Sequence, residues 1–330
     1  MLAGCETIPF DAPVAADQLL VPGRLVLRYF LGDVPLLRAR FNVVRLNRHF
    51  TQLGPWRKGS AVPWEQVPPQ AQCVLYLSHP VDGRLPRLRL TREGIVYVPL
   101  HYTHYYIDLS GTFDDYLAKF NAKSRYNMKR EVRLFCELSG RDEPVREFSH
   151  AGEIDQFLAD AAEISAKTYQ QRLANNGLPH DDAFRRRLEK LSPTGGWRGY
   201  ILYDKSKPVA YFYGACREGI LTAEWLGFDP QYRRFSPGGV LLYFIVRRLY
   251  AQGRYRMLDF GHSEAEYKRH HSTGSLAAAD IHYFRLTARN LLLVLAHAAA
   301  DSASHAIGWV MTRLRIKAAI KRFIRRRSEK

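Results

Sequence analysis

Long apolar runs are missing from this chain of 330 residues. None approaches the roughly 18 residues that a helix needs to cross a bilayer. The nearest, Leu291-Leu-Leu-Val-Leu-Ala296, is soon broken by His297 and Asp301. Cysteine is scarce: Cys5, Cys73, Cys136 and Cys216 lie far apart and form no C-x-x-C pair. That pattern gives no zinc framework and reads as reduced, cytoplasmic thiols. Low-complexity sequence and repeats at solenoid periods are absent. Leu2-Ala-Gly-Cys5 spells a lipoprotein-like cleavage box but lacks the charged and apolar segments that precede one. It therefore reads as coincidence unless the true start lies upstream. Acid is in short supply: 32 Asp and Glu against 49 Lys and Arg give a formal net charge of +17. Such a field draws anions, whether nucleic acid, anionic lipid or phosphorylated small molecules, without choosing among them.

What is present reads as alternating elements. Residues 1–109 carry short strands and turns, with strand character at Arg24–Phe30 and Cys73–Leu77, a Pro- and Trp-rich loop over Leu53–Pro69, and a hairpin around Glu93-Gly94. Thr112 caps a helix whose stripe is Phe113, Tyr116, Leu117 and Phe120. The pattern continues through the basic run Lys123–Arg130 to Leu138, and Gly140 stops it. A strand follows at Val145–Phe148, then helices over Glu153–Arg172 and Asp181–Leu191. Arg198–Tyr203, Val209–Cys216 and Ile220–Phe228 form an antiparallel meander. A crossover helix from Gly238 leads to a strand at Tyr255–Phe260, and Ile281–Leu286 closes the sheet. The tail, 287–330, is helical. Over Trp309–Arg327 it sets Trp309, Ile316, Ile320, Phe323 and Ile324 against a basic remainder, the pattern of an interfacial anchor on an anionic membrane. RNA binding and simple docking on the domain are the alternatives.

The stretch from Thr222 to Lys268 carries the chemistry. A strand ending Leu226-Gly-Phe-Asp-Pro230 runs into Gln231-Tyr-Arg-Arg-Phe-Ser-Pro-Gly-Gly239 and a helix, then Met257-Leu-Asp-Phe-Gly261 and Glu266-Tyr-Lys268. Helix starts expose unpaired N–H groups and partial positive charge. Glycines that admit close approach turn such a start into an anion cradle.

This order of elements resembles the GNAT acyltransferase superfamily, and its details resemble the CelD-like and Fem-like branch. The shared features are the basic helix Lys123–Arg130, the turn Ser236-Pro-Gly238, the strand end Asp259-Phe260 and the pair Tyr267-Lys268, within about Ser110–Thr273. The resemblance implies a mixed α/β (α+β), mostly antiparallel sheet flanked by helices over 110–286, with 1–109 as a candidate degenerate first GNAT-like half. It also implies transfer of an acyl group from acyl-CoA, acetyl-CoA by default, to an amine. The acceptor would be an amino sugar or another cell-envelope or polysaccharide precursor. The alternatives are aminoacyl transfer from tRNA, as in Fem-type members, and a non-catalytic membrane or nucleic-acid adaptor. Two departures stand out. Pro237 occupies the place of the first phosphate-turn glycine and has no N–H to donate. Ser263-Glu-Ala-Glu266 replaces the glycine expected ahead of Tyr-Lys.

On this reading Arg233, Arg234, Ser236, Gly238 and Gly239 bind the diphosphate. The bland alternative is a capped strand-to-helix turn. Glu224, beside Trp225, is a candidate base with a raised pKa, or else an edge glutamate paired with arginine. Asp259 orients the acceptor, acts as the base, or bonds the next turn. Tyr267 protonates the leaving thiolate, and Lys268 binds an anionic acceptor group. Arg125, Lys129 and Arg130, with Lys123, hold a polyanionic acceptor or form a solvated face. His262, His270 and His271 lack the companions and spacing of a metal site, so no metal is expected.

Overall fold

A computed structural model of the chain describes residues 5–9, 19–31, 34–57, 64–168 and 177–313. The chain divides into two compact units, one of Met1–Tyr102 with Ala277–Lys330 and one of Thr103–Leu276. The helical segment after 287 thus groups with the N-terminal residues. The basic segment expected over Trp309–Arg327 lies outside the described residues from 314 onward.

In the first unit, β1 (Cys5–Pro9), β2 (Leu20–Leu31) and β3 (Val34–Leu46) are antiparallel neighbours. β3 meets β4 (Cys73–Pro80) in parallel only over Val43–Arg45. β5 (Leu88–Leu90) pairs antiparallel with β6 (Ile95–Asp108), the hairpin expected around Gly94. The β2–β3 hairpin is longer than the strand expected from Arg24–Phe30. Arginines at 38, 40 and 45 break the apolar run of β3, while Ala39, Phe41 and Val43 alternate inward.

The second unit begins within β6. Thr112 caps α1 (Phe113–Ala118), accepting from the Asp115 N–H while the Asp115 carboxylate bonds back to the Thr112 N–H. This capping box satisfies two otherwise orphaned donors. The helix does not run on to Leu138 as its periodicity suggests. It stops, and Asn121 caps a new helix, α2 (Ala122–Ser139), accepting from the Ser124 N–H. Gly140, at φ +68°, ends α2 as expected. Then come β7 (Val145–Phe148), α3 (Ile154–Lys167) and α4 (Asp182–Leu191). The meander is β8 (Trp197–Asp204), β9 (Lys207–Arg217) and β10 (Ile220–Phe228). Pro237 sits at the first turn of α5 (Pro237–Gln252), where its missing N–H is no loss. The remaining elements are β11 (Met257–Asp259), α6 (Glu266–His271), β12 (Gly274–Phe284) and, in the first unit, α7 (Ala288–Arg313).

β7, β8, β9 and β10 are antiparallel in that order. β10 pairs β11 in parallel, and β11 pairs the end of β6 antiparallel. β8 and β9 are buried on both faces, whereas β10 is mostly half-buried beyond Leu221. On β9, Ala210 and Phe212 join the core beneath α1, α2 and α5, whereas Tyr211 and Tyr213 join the core beneath α3 and α4. A mixed, mostly antiparallel sheet covered by helices on both faces results, as the sequence led us to expect.

Candidate active site

Two local features of the second unit define the site. First, β10 and β11 pair only as far as Thr222 with Asp259, yet β10 runs on to Phe228. Beyond Thr222 the β11-facing edge of β10 has no strand partner among the described residues. The β9–β10 register also shifts between Ala223 and Trp225, so Glu224 is the bulged residue. Bulges twist a strand and re-aim its groups. Glu224 is exposed as a residue although its side chain is only 25 % exposed, so main chain is what stands open at the bulge.

Second, β10 feeds through the 3-10 turn Pro230–Phe235 into α5. The Val240 N–H returns to the Ser236 carbonyl at 3.0 Å, and the N–H groups ahead of it have no place in the helical ladder. A Cβ added at Gly238 would find nothing nearer than Phe228 at 3.7 Å, and one at Gly239 nothing nearer than 4.0 Å. The bend is therefore open. The atoms nearest Gly239 include the Glu131 carboxylate of α2 at 4.0 Å, an acid the sequence pattern did not single out. Ser236 is not the expected side-chain cap. Its backbone is left-handed, φ 50° and ψ 47°, and its hydroxyl makes no cap hydrogen bond. Arg233 and Arg234 are exposed at the end of the preceding turn.

The structure redistributes the other candidates. Glu224 is not an isolated carboxylate in an apolar strand. Both its oxygens accept from Arg187 Nη2 of α4, at 2.9 and 3.1 Å. Burial works against the Arg187 charge, but Glu224 and Tyr213 outweigh it and hold the guanidinium pKa above its usual value. Asp259 is 3 % exposed. Its Oδ1 accepts from the Gly261 N–H at 2.7 Å and contacts His104 Nε2 at 2.6 Å. It thus bonds the turn that follows it instead of facing an acceptor. Lys268 is buried too. Its Nζ donates to the carbonyls of His262 at 2.6 Å and Ser263 at 3.1 Å, and burial pushes its pKa down to about 8 against the opposing pull of Asp259. A cation expected to meet the acceptor instead pins the loop after β11. Arg125 likewise turns inward, donating to the carbonyls of Ala118 at 3.2 Å and Phe120 at 2.6 Å. It closes the break between α1 and α2, which explains why one helical pattern folds as two helices. Lys123, Lys129 and Arg130 are exposed.

Tyr267 is partly exposed and meets Phe260 edge to face, centroids 6.0 Å apart. Burial of the surrounding surface pushes its phenol up to about 12, so it keeps its proton throughout the neutral range. Cys216 and Cys136 are held above the ordinary thiol pKa, chiefly by burial, which leaves them poor nucleophiles. Among the described residues no cluster of His, Cys, Asp or Glu is arranged to hold a metal ion. His104 and Arg187 escaped the sequence reading because they stand 155 and 37 residues from their partners. No local pattern announces such pairs.

A family model described as an acetyltransferase (GNAT) domain matches residues 122–269. No curated protein matches the chain. Among solved structures, a conserved protein of unknown function from Bacteroides thetaiotaomicron is 13 % identical, over 81 % of this chain and 86 % of that one, at a TM-score of 0.45. FemX is 11 % identical over 88 % and 90 %, at 0.38. The L-PGS of Bacillus licheniformis is 10 % identical over 60 % and 65 %, at 0.40. The matched segment includes the glycine helix start, the bulged strand and the Tyr267-Lys268 helix. Residues 122–269 thus carry a GNAT acetyltransferase domain, and that match supports an acyltransferase.

Proposed function

We propose that the chain moves an acyl group from acyl-CoA, acetyl-CoA by default, to the amine of an amino sugar or a related cell-envelope or polysaccharide precursor. The observation that carries this reading is the parting of β10 from β11 after Thr222, with an open glycine helix start following on the same chain segment. The pantetheine arm would lie along the free edge of β10, with the diphosphate at Gly238 and Gly239. Main-chain N–H groups at the bulge would bind the thioester oxygen as it gains charge. Glu224 would take a proton from the acceptor ammonium. The freed amine attacks the thioester carbon, the C–S bond breaks as Tyr267 gives its proton to the thiolate, and the surplus proton on the attacking nitrogen passes to the tyrosinate, leaving a neutral amide. Asp259 and Lys268 act as positioning residues that hold the Gly261 loop. Lys129 and Arg130 are exposed and remain candidates for an anionic acceptor group.

The experiment is acyl-CoA-dependent acylation of a panel of amino sugars, beside a thermal-shift series with acyl-CoA esters of different chain length. Glu224→Gln should lower kcat about 100-fold and Tyr267→Phe about tenfold. Wild-type rates in both variants would remove those roles. Gly239→Ala separates fold from function. It should raise the melting temperature, because alanine stabilises a helix by about 1 kcal/mol over glycine. It should also weaken acyl-CoA binding about tenfold by placing a methyl in the cradle.

Glu131 favours a second reading. A carboxylate beside the cradle repels a diphosphate, which suits a donor that does not place one there, such as aminoacyl-tRNA. Glu131→Gln should tighten acyl-CoA about fivefold if a diphosphate does sit there. No change in acyl-CoA affinity, together with salt-sensitive tRNA binding, would favour the tRNA donor.

A further inference from the structure

The first unit presents a surface that this chemistry does not use. The outer half of β3 is paired on one edge by β2, while its other edge meets β4 only at Val43–Arg45. Beside it an open cavity of about 520 Å³ is lined by Leu37, Arg38, Arg40, Arg289, Leu292 and Leu293, with Ala39 at its floor. Leu37 is 52 % exposed and Leu292 is 68 % exposed. The solvent side of α7 continues the pattern. Arg289, Leu292, Leu295, Ala296 and Ala299 are all exposed at helical spacing, and no acid lies among them.

Two features say what covers this surface. Arg38, Arg40 and Arg289 have no ion pair or hydrogen bond among the described residues, in a chain where many other arginines are paired. Arg289 also stands in the first turn of α7, which carries no acid and where the helix dipole disfavours a cation. Three arginines with unneutralised guanidiniums line the same cavity as exposed leucines, which matches a surface that is both anionic and apolar just beneath. No helix among the described residues is long and apolar enough to cross a membrane, so the fit is to a lipid leaflet met from outside.

We propose that the cavity between outer β3 and α7 docks the protein on an anionic lipid leaflet, with the leucines entering the interface and Arg38, Arg40 and Arg289 meeting phosphate headgroups.

The test is co-sedimentation of the full chain with phosphatidylcholine vesicles, with or without about 30 % phosphatidylglycerol. The wild type should partition onto the anionic vesicles alone and release as salt rises. Combining Arg38→Glu, Arg40→Glu and Arg289→Glu should lower partitioning about 100-fold. Leu292→Ser with Leu295→Ser should lower it about tenfold while leaving the salt dependence intact. All five side chains are exposed, so melting temperatures should match the wild type. Changing Arg325, Arg326 and Arg327 to serine should leave most of the binding in place. Three results would overturn the proposal. One is wild-type binding by both surface variants. Another is loss of binding only when Arg325–Arg327 are changed. The third is a dimer in light scattering that the leucine variant dissolves, which would make the occupant a second copy.

Discussion

Replacing Gly261 with alanine should lower kcat/KM about 1000-fold and destabilise the fold by about 2 kcal/mol. Gly261 has φ +67°, in the left-handed region. An added Cβ would stand 2.8 Å from the Ala223 carbonyl oxygen, and that atom is backbone. The left-handed conformation alone disfavours an L side chain by roughly 1–2 kcal/mol. The contact then forces either the loop or β10 to shift. The loop cannot shift easily, because Asp259 and Lys268 tie it down through Gly261, His262 and Ser263.

The shift would fall on the peptide next to Glu224, where β10 parts from β11. Losing one donor to a developing oxyanion lowers turnover by roughly 100- to 1000-fold, and a misplacement of about 1 Å has a comparable effect. Urea unfolding and steady-state kinetics on the same preparation separate the two losses. A stable Gly261→Ala protein with wild-type kcat/KM would mean that acyl transfer does not use this stretch of β10.

Acid should unfold the protein through His271. Burial, reinforced by the neighbouring His270 and Lys119, pushes its pKa down to about 3. Around it stand Tyr116, whose hydroxyl lies 3.4 Å from Nδ1, and Lys119, which donates to the carbonyls of His271 and Ser272. Lys119 is itself lowered to about 8 by burial. In the unfolded chain a histidine titrates near 6.5. Between about pH 3 and 6.5 the unfolded state therefore holds a proton that the folded state refuses. Stability from this group is complete above about pH 6.5 and is lost as pH falls toward 3, by up to about 5 kcal/mol in all.

Unfolding free energies at pH 7, 5.5 and 4 measure the slope. His271→Gln should flatten it by one proton while lowering stability at neutral pH only by its packing loss. An unchanged slope in that variant would assign the acid sensitivity to other groups.

Much of the fold was legible in the residues themselves. The three meander strands are apolar and aromatic runs separated by tight turns, and the structure keeps all three. Gly140 ends α2 and Pro237 opens α5 for local steric reasons that hold in any context. The glycine bend and the Asp-Phe and Tyr-Lys motifs were legible in the same way, because each needs only adjacent residues. Partner choice was not legible. Glu224 could read as a base or as an edge glutamate paired with an arginine, and only the packing of α4 named Arg187 as that partner. Arg125 and Lys268 looked like surface cations until chain breaks and loop carbonyls drew them inward.

Sequence by itself determined the meander, the crossover helix after it and the basic charge, since propensity, periodicity and capping act within a few residues. Only the tertiary structure decided where β10 leaves β11, which carboxylate is paired and which is exposed, and that Glu131 stands at the glycine bend. Those outcomes depend on register and burial between segments far apart in the chain, and local pattern carries no information about either.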